Sequence, residues 1–344
     1  MAGSKRKKVS MADIASKFGV SRNAVSLALS GKAGVSDELR SAIRSAAAEL
    51  GYLPAENREQ NRQAIAVLVP SYIRDDGSFY SDVFWAIEHE SRALGILTIT
   101  CGLSKTDEAG HILPQIPDEL RVIGFLAVGI ISVSYLEMLR ASGANVVSVD
   151  IRPPLAIPSV SADNVNVGRM AAEYLIDHGH REIGFIGPVF CAQSVYERFC
   201  GYRQALLNAN IPYNEDICVL GNRTDFELLD NSAILKRYID RLEHLPGAVF
   251  CAGDMIAVSL YMLLHEKNIR VPGDISIIGC DDLKIGQYIN PPLTSVHIDR
   301  KLIGKQAVKL LLNSHGQDAG TPVHIMLPCS LAERSSVEDK ASSY

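Results

Sequence analysis

Arg22 and Asn23 stand side by side in "GVSRNAVSLALSG", residues 19–31. A guanidinium can donate two hydrogen bonds to guanine O6 and N7, and a carboxamide can pair with adenine N6 and N7. On a helical wheel Val25, Ala28 and Leu29 share one face, while Asn23, Ser26, Leu27 and Ser30 share the other, with Arg22 in the first turn. Ser21 and Ser26 suit phosphate, or serve simply as a helix cap and a surface serine. Leu27 falls where a polar residue would be expected: it cannot hydrogen-bond a base, but it can pack on a thymine methyl.

Other chemistry-bearing clusters carry less. "CDD" (280–282) offers paired acids, but no activated nucleophile or companion base stands out. "HGH" (178–180) has no second His/Cys/Asp cluster at matching spacing and reads as a helix-to-strand turn around Gly179, so no metal site is expected. With neither a Walker motif nor GxGxxG, no cofactor and no enzyme activity are expected.

The elements that must position Arg22 and Asn23 form three helical periods within residues 9–50. Ser10 and Asp13 suit a capping box opening the first helix, whose apolar stripe is Ile14, Ala15 and Phe18. Gly19 ends it, Ser21 caps the second, and Ser36 caps "DELRSAIRSAAAELGY". Two helices joined by a turn of a few residues and braced by a third make a helix-turn-helix. Residues 1–62 hold eleven Lys/Arg and six acids, a balance of +5 in a chain of net charge −5, so the remainder carries −10. A basic head on an acidic body directs the head alone to a polyanion.

Residues 53–64 are polar and read as a linker. From Ile65, apolar runs such as "AIAVLVP", "VIGFLAVG", "EIGFIGP", "ICVLG", "GAVFCAG" and "ISIIGCDD" alternate with helical segments. Continuous apolar strands separated by helices imply parallel sheets covered on both faces. Their number in 344 residues exceeds one ordinary sheet and fits two α/β lobes with a ligand cleft beyond the carboxyl ends of the strands. No apolar run approaches the ~20 residues that span a bilayer. "KRKK" (5–8) leads into an amphipathic segment instead of a signal core, which places the protein in the cytoplasm with no membrane partner. The seven cysteines form no CxxC and read as reduced, mostly buried thiols.

"VSMADIASKFGVSRNAVSLALSG…VSDELRSAIRSAAAELGYLP" resembles the DNA-binding head of the LacI/GalR repressors through Asp13-Ile14-Ala15, Gly19-Val20-Ser21, Ala24-Val25-Ser26 and Tyr52-Leu53-Pro54. "GHREIGFIG", "RFCGYRQAL", "VPGDISIIGCDD", "NPPLTSV" and "LAERSS" follow in that family's order, so the resemblance covers nearly the whole chain. It implies a regulator, a repressor in the simplest reading. Its head (1–52) would join through the linker (53–64) to a periplasmic-binding-protein-like body (65–336), leaving a tail (337–344). The lobes would comprise 65–160 with 297–325, and 161–296 with 326–336. Two-fold heads match a palindromic operator, so a homodimer on double-stranded DNA is expected. The chain runs only eight residues past Ser336 with no Leu heptad, which favours a dimer over a tetramer.

The resemblance also marks site residues. Arg22 and Asn23 take the positions of principal base readers, while Leu27 replaces a common Arg. The linker is unusually short: ten residues, Ala55 to Ala64, follow Pro54, and none is the Leu that wedges into the minor groove in relatives. Arg58 and Arg62, four apart, could lie along phosphates instead. In the body, Arg198 and Asp281 map onto residues that clamp effector hydroxyls, chemistry that a guanidinium fork and a carboxylate suit. Asp150, Asp163 and Asn164 near lobe crossings, Ser71, Phe79 and Tyr80 after the first strand, and Phe226 as an apolar face complete the expected wall. Asp254 and Arg300 are expected effector contacts as well: Gly253-Asp254 stands where Asn-Asp is frequent, and Arg300 stands where an apolar residue often sits. An added cation and a missing amide would favour a phosphorylated or acidic ligand over a plain sugar. Two alternatives are a protein co-regulator in place of the small effector, and a sugar-binding protein that does not bind DNA.

Overall fold

The computed structural model of the chain describes residues 10–30, 32–50, 52, 62–73, 79–221, 232–314 and 322–341. The described residues up to Ala64, together with Gln115–Ile123, form one compact unit, and those of Ile65–Pro114 and from Gly124 onward form another.

The head is built from α1 (Met11–Phe18), α2 (Arg22–Ser30) and α3 (Asp37–Glu49). The Ser10 hydroxyl accepts from the Asp13 amide, and the Asp13 carboxylate accepts from the Ser10 amide, closing the capping box. Gly19 takes the left-handed conformation, φ 63°, that ends α1. Ile14, Val25, Ala28 and Ile43 are fully buried where the three helices meet, and Tyr52 closes the cluster. Burying side chains of this size contributes roughly 1.5–3 kcal/mol each for Val or Ile, which holds helices too short to persist alone. Arg44 on α3 donates from Nε to the Ala28 carbonyl at 3.2 Å, satisfying an orphan acceptor in the last turn of α2.

The body begins with β1 (Arg62–Pro70), α4 (Phe79–Ala93), β2 (Leu97–Leu103), α5 (Lys105–Ala109), β3 (Leu120–Val128), α6 (Val133–Ala141), β4 (Val146–Val149) and β5 (Ser159–Ala162). Next come α7 (Asn164–Asp177), β6 (Ile183–Ile186), α8 (Gln193–Asn208), α9 (Ser232–Arg241), β7 (Ala248–Cys251), α10 (Asp254–Glu266), β8 (Ser276–Asp281) and α11 (Lys284–Tyr288). The series closes with β9 (Thr294–Ile298), α12 (Arg300–Ser314), β10 (His324–Leu327) and β11 (Cys329–Ala332). Two sheets result, in the orders β10-β5-β4-β3-β1-β2 and β11-β9-β8-β7-β6. β3, β4, β5 and β10 run parallel, as do β6 to β9, while β11 pairs antiparallel with β9. Strands such as β4, β6 and β7 are buried along their whole length, as parallel strands covered on both faces must be.

The chain crosses between lobes near Asp163, Asp299 and Pro328. β5, β9 and β10 run to residues 162, 298 and 327, two residues past each expected boundary of 160, 296 and 325. Pairing continues until no neighbour remains: the Asp163 amide still donates to the Leu327 carbonyl at 2.9 Å. α12 packs on α4 and against β4 and β5, so it covers the six-stranded lobe although it follows the five-stranded one in sequence.

Two expectations are corrected. Residues 62–64 are not linker: β1 starts at Arg62, and Ala64 is fully buried. β1 lies between β3 and β2 in the sheet, and it starts before the apolar run begins. "ICVLG" forms only a single parallel bridge, Val219 to Ile186, at the open edge beyond β6. Among the described residues no helix is long and apolar enough to cross a membrane. All seven cysteines are free thiols, and Cys101, Cys218, Cys251 and Cys280 are buried.

Candidate functional site

Two groups of residues stand where chemistry can be done, one on α2 and one between the lobes. On α2, Ser21, Arg22 and Asn23 are exposed, while Val25 and Ala28 face the core. The Ser21 hydroxyl accepts from the Ala24 amide at 3.1 Å, so this serine caps the helix. Ser26, Leu27 and Ser30 are half-buried, and the Ser30 hydroxyl donates to the Ser26 carbonyl at 2.8 Å. Leu27 leans back: its Cδ1 lies 3.0 Å from where a β-carbon on Gly34 would stand. Only part of Leu27 therefore remains on the outer face. Arg58 lies outside the described residues. Arg62 opens β1, so the helical four-residue spacing that related it to Arg58 does not carry into it.

On the five-stranded lobe, α7 and α8 approach unusually closely. A β-carbon on Gly168 would stand 1.8 Å from the Arg198 carbonyl oxygen, and one on Gly201 would stand 1.9 Å from that of Val165. Only glycine permits this approach, which sets Arg198 of α8 against Asn164 of α7. Arg198 Nε donates to Asn164 Oδ1 at 3.0 Å, Nη1 donates to the Ala252 carbonyl at 2.5 Å, and Nη2 lies 3.3 Å from Asp281 Oδ1. Burial works against the Arg198 charge, yet the neighbouring Cys280, Asp281 and Asp150 outweigh it and hold the guanidinium protonated. Burial likewise lifts Asp281 to about 6, with Asp150 pushing the same way and Arg198 opposing.

The other wall comes from the six-stranded lobe. Tyr80 donates from its hydroxyl to Asp150 Oδ2 at 2.9 Å, and the Phe79 ring meets the Tyr80 ring edge-on at 5.0 Å. Arg300 lies with Cζ 5.8 Å from the Phe79 ring centre, donates from Nε to Asp82 Oδ2 at 3.1 Å, and donates from Nη1 to the Asp281 carbonyl. Of the predicted residues, the structure brings together Phe79, Tyr80, Asp150, Asn164, Arg198, Asp281 and Arg300.

The others stand apart. Ser71 is exposed in the single turn after β1, and Phe226 lies outside the described residues. Asp163 caps α7 at a lobe crossing, accepting from the Asn166 amide at 3.1 Å. Asp254 is corrected from ligand to internal brace: it is fully buried and accepts from the Leu283 amide at 2.6 Å and the Ser295 hydroxyl at 2.7 Å. Nothing local singles out Asp82, since one acid in a helical first turn looks like any other. Asn164, by contrast, was legible from its place beside a crossing. The phosphorylated-ligand expectation rests on Arg300 as an added cation. Arg300 is already engaged by Asp82, and the group sets two guanidiniums against the carboxylates of Asp82, Asp150 and Asp281. Such a balance resists a further anion.

Burial, then the charge of Asp281, pushes Asp254 up to about 8, against the two hydrogen bonds it accepts. An unfolded Asp ionises near ~3.9, so folding takes up a proton. Stability from this group is complete below about pH 4 and is lost as pH rises towards 8, at up to ~1.36 kcal/mol per pH unit. Asp254→Asn mimics the protonated carboxyl, donating to Ser295 while accepting from Leu283. Urea midpoints at pH 6 and 8 are expected to fall in the parent protein and to stay nearly level in the variant. Equal falls in both would assign the slope to another group.

"HGH" is a structural turn: Gly179 has φ 84°, and His180 is buried with Nε2 3.1 Å from the Glu338 carbonyl. Burial and Lys340 lower His180 to about 4. Among the described residues no group of three or more His, Cys, Asp or Glu could hold a metal ion.

Comparison with known proteins agrees with this layout. A family profile described as bacterial regulatory proteins, lacI family, matches residues 10–55, and one described as a periplasmic binding protein-like domain matches residues 172–337. The chain is 31% identical over 307 residues to the HTH-type transcriptional repressor PurR of Vibrio parahaemolyticus, covering 87% of this chain and 90% of that one. It is 30% identical to the repressor CytR of Escherichia coli K12 over 95% of each chain. A solved complex of the transcriptional regulator CelR with cellobiose superimposes with a TM-score of 0.70 at 27% identity, over 95% of this chain and 99% of that one. The lac repressor dimer bound to operator shares the fold, with a TM-score of 0.68 at 23% identity over 96% of this chain and 100% of that one. These relatives are regulators, not enzymes. The chain belongs to the LacI family of bacterial regulatory proteins, with a helix-turn-helix head and a periplasmic-binding-protein-like body.

Proposed function

We propose that this protein represses transcription as a dimer, reading a palindromic operator through α2 and answering to a neutral, hydroxyl-rich small molecule held between the lobes. The observation that carries the reading is the exposure of Arg22 and Asn23 in the first turn of a helix whose opposite face is anchored in the core. N-terminal residues of a recognition helix face base edges in the major groove, and the exposed Ser21 beside them suits a phosphate. Self-association is supported by large exposed apolar side chains on both lobes, with Trp85 70% and Tyr288 83% exposed. Selection of binding sites from random duplexes by the intact chain tests the DNA reading. A two-fold-symmetric consensus is expected, and recovery of no consensus would overturn it.

For the ligand, Arg198 donates while Asp281 and Asp150 accept, a combination that suits vicinal hydroxyls. The relative CelR is complexed with cellobiose, which favours a sugar or sugar derivative here. Ligand binding changes operator affinity to the extent that the ligand prefers one lobe arrangement. Calorimetry with paired neutral and phosphorylated sugars is expected to show tighter binding of the neutral member. Tighter binding of the phosphorylated member would refute the charge reading of the cleft.

A further inference from the structure

We infer that Arg300 is a hinge tie: its guanidinium spans the Asp299 crossing and fixes the angle between the lobes before any ligand arrives. It is a positioning residue, and its role goes beyond the proposed ligand and operator.

Arg300 is the first residue after that crossing. Ile298 ends β9 in the five-stranded sheet, and Arg300 opens α12, which packs on α4 in the other lobe. Its side chain is 10% exposed and has partners in both lobes. On the six-stranded side, Nε donates to Asp82 and the guanidinium lies near the Phe79 ring, both on α4. On the five-stranded side, Nη1 donates to the backbone carbonyl of Asp281 at the end of β8.

That carbonyl is presented by an unusual backbone. Asp281 has φ 102° and Asp282 has φ 50°, two consecutive non-glycine residues in a region that side chains disfavour. Such conformations persist where surrounding contacts hold them. Asp282 is held by Arg334 and by His297, with 3.0 Å between His297 Nδ1 and Asp282 Oδ2, and its amide donates to Ser295. Arg300 supplies the corresponding hold on Asp281 from the opposite lobe. The Asp281 side chain faces Arg198, so one residue joins the ligand-clamping pair through its carboxylate and the hinge through its carbonyl. A ligand that displaces the carboxylate therefore loads Arg300 and α12 without having to span the lobes itself.

The guanidinium geometry is essential. Nε and Nη1 diverge along two directions of one rigid plane, whereas a lysine ammonium is a single point on a flexible stem. Arg300→Lys keeps the charge beside Asp82 and gives up the simultaneous hold on the Asp281 carbonyl. Asp82→Asn keeps the size of the anchor and removes its charge.

Hydrogen exchange of the ligand-free, full-length chain tests the tie. In Arg300→Ala, amides of residues 281–284 and 298–300 are expected to exchange about tenfold faster or more, while β4 and β7 in the two sheet cores keep their parent rates. Arg300→Lys should match the alanine variant at 281–284, and Asp82→Asn should show a smaller acceleration confined to the same segments. Arg92→Ala, which removes an exposed Arg92–Glu88 pair on the same α4, should leave those segments unchanged. Rates within twofold of the parent in both Arg300→Ala and Asp82→Asn would overturn the tie. So would acceleration spread evenly over both sheets, which would make Arg300 an ordinary stability residue. Should the alanine variant fail to fold, the lysine and asparagine variants carry the same contrast.

Discussion

Arg198→Ala is expected to cost about 3–5 kcal/mol of folding stability and to abolish ligand binding between the lobes. The guanidinium is buried and holds Asp281, Asn164 and the Ala252 carbonyl at once. Truncation leaves a buried carboxylate and two buried acceptors without their donor, and the desolvation cost of those groups sets the size of the loss. Asp281→Asn alone should cost less, since Arg198 keeps its bonds to Asn164 and the Ala252 carbonyl and the uncharged residue no longer suffers from Asp150. The double variant is therefore expected to fall well short of the sum of the two losses. Urea denaturation of the four species reads the coupling. Strict additivity would show that Arg198 and Asp281 do not act as a unit.

On the head, Arg22→Ala and Asn23→Ala are each expected to lower affinity for the selected operator by about 1–3 kcal/mol. Each should also relax the preference at one base pair per half-site, which a phosphate contact would not do. Neither side chain packs in the core, so the melting temperature should stay put. Leu27→Arg is the complementary change. The parent operator should lack a guanine requirement opposite residue 27, and the variant should acquire one. A parent operator in which a required guanine is contacted through residue 27 would defeat the assignment. Because Leu27 rests on Gly34, its contribution in the parent comes from the apolar edge left exposed, enough for a methyl contact.

Most of this architecture was legible in the sequence because it rests on pattern. The three head helices follow from Ser10, Ser21 and Ser36 at their starts and from the spacing of Ile14, Ala15 and Phe18 in the first and Val25, Ala28 and Leu29 in the second. The two parallel sheets follow from continuous apolar runs, and only "ICVLG" proved too peripheral to become a strand. Pattern failed where partners decide. Arg62 looks like linker by composition, but the backbone there is in β1 between two neighbours. Asp254 looks like a ligand by position, whereas the Leu283 amide and Ser295 hydroxyl, 29 and 41 residues away in sequence, turn it inward. Arg300 reads locally as an added charge for the ligand, whereas Asp82, 218 residues away, holds it. Charge availability is a property of three-dimensional neighbours, so no local reading of Arg300 could have supplied it.

The crossing topology bears on how the chain is made. The six-stranded lobe receives β10 and its covering helix α12 only after β6 to β9 of the five-stranded sheet have been synthesised, and β10 pairs with β5 in the register His324 to Ser159. During translation the first-made lobe leaves the ribosome with a bare sheet edge and with the face over β4 and β5 uncovered. Pairings this distant in sequence close late and leave apolar surface open to misassembly meanwhile. A nascent chain arrested before Arg300 therefore still exposes that edge and that face, and the first-made lobe reaches its native form only when the late-made α12 and β10 arrive.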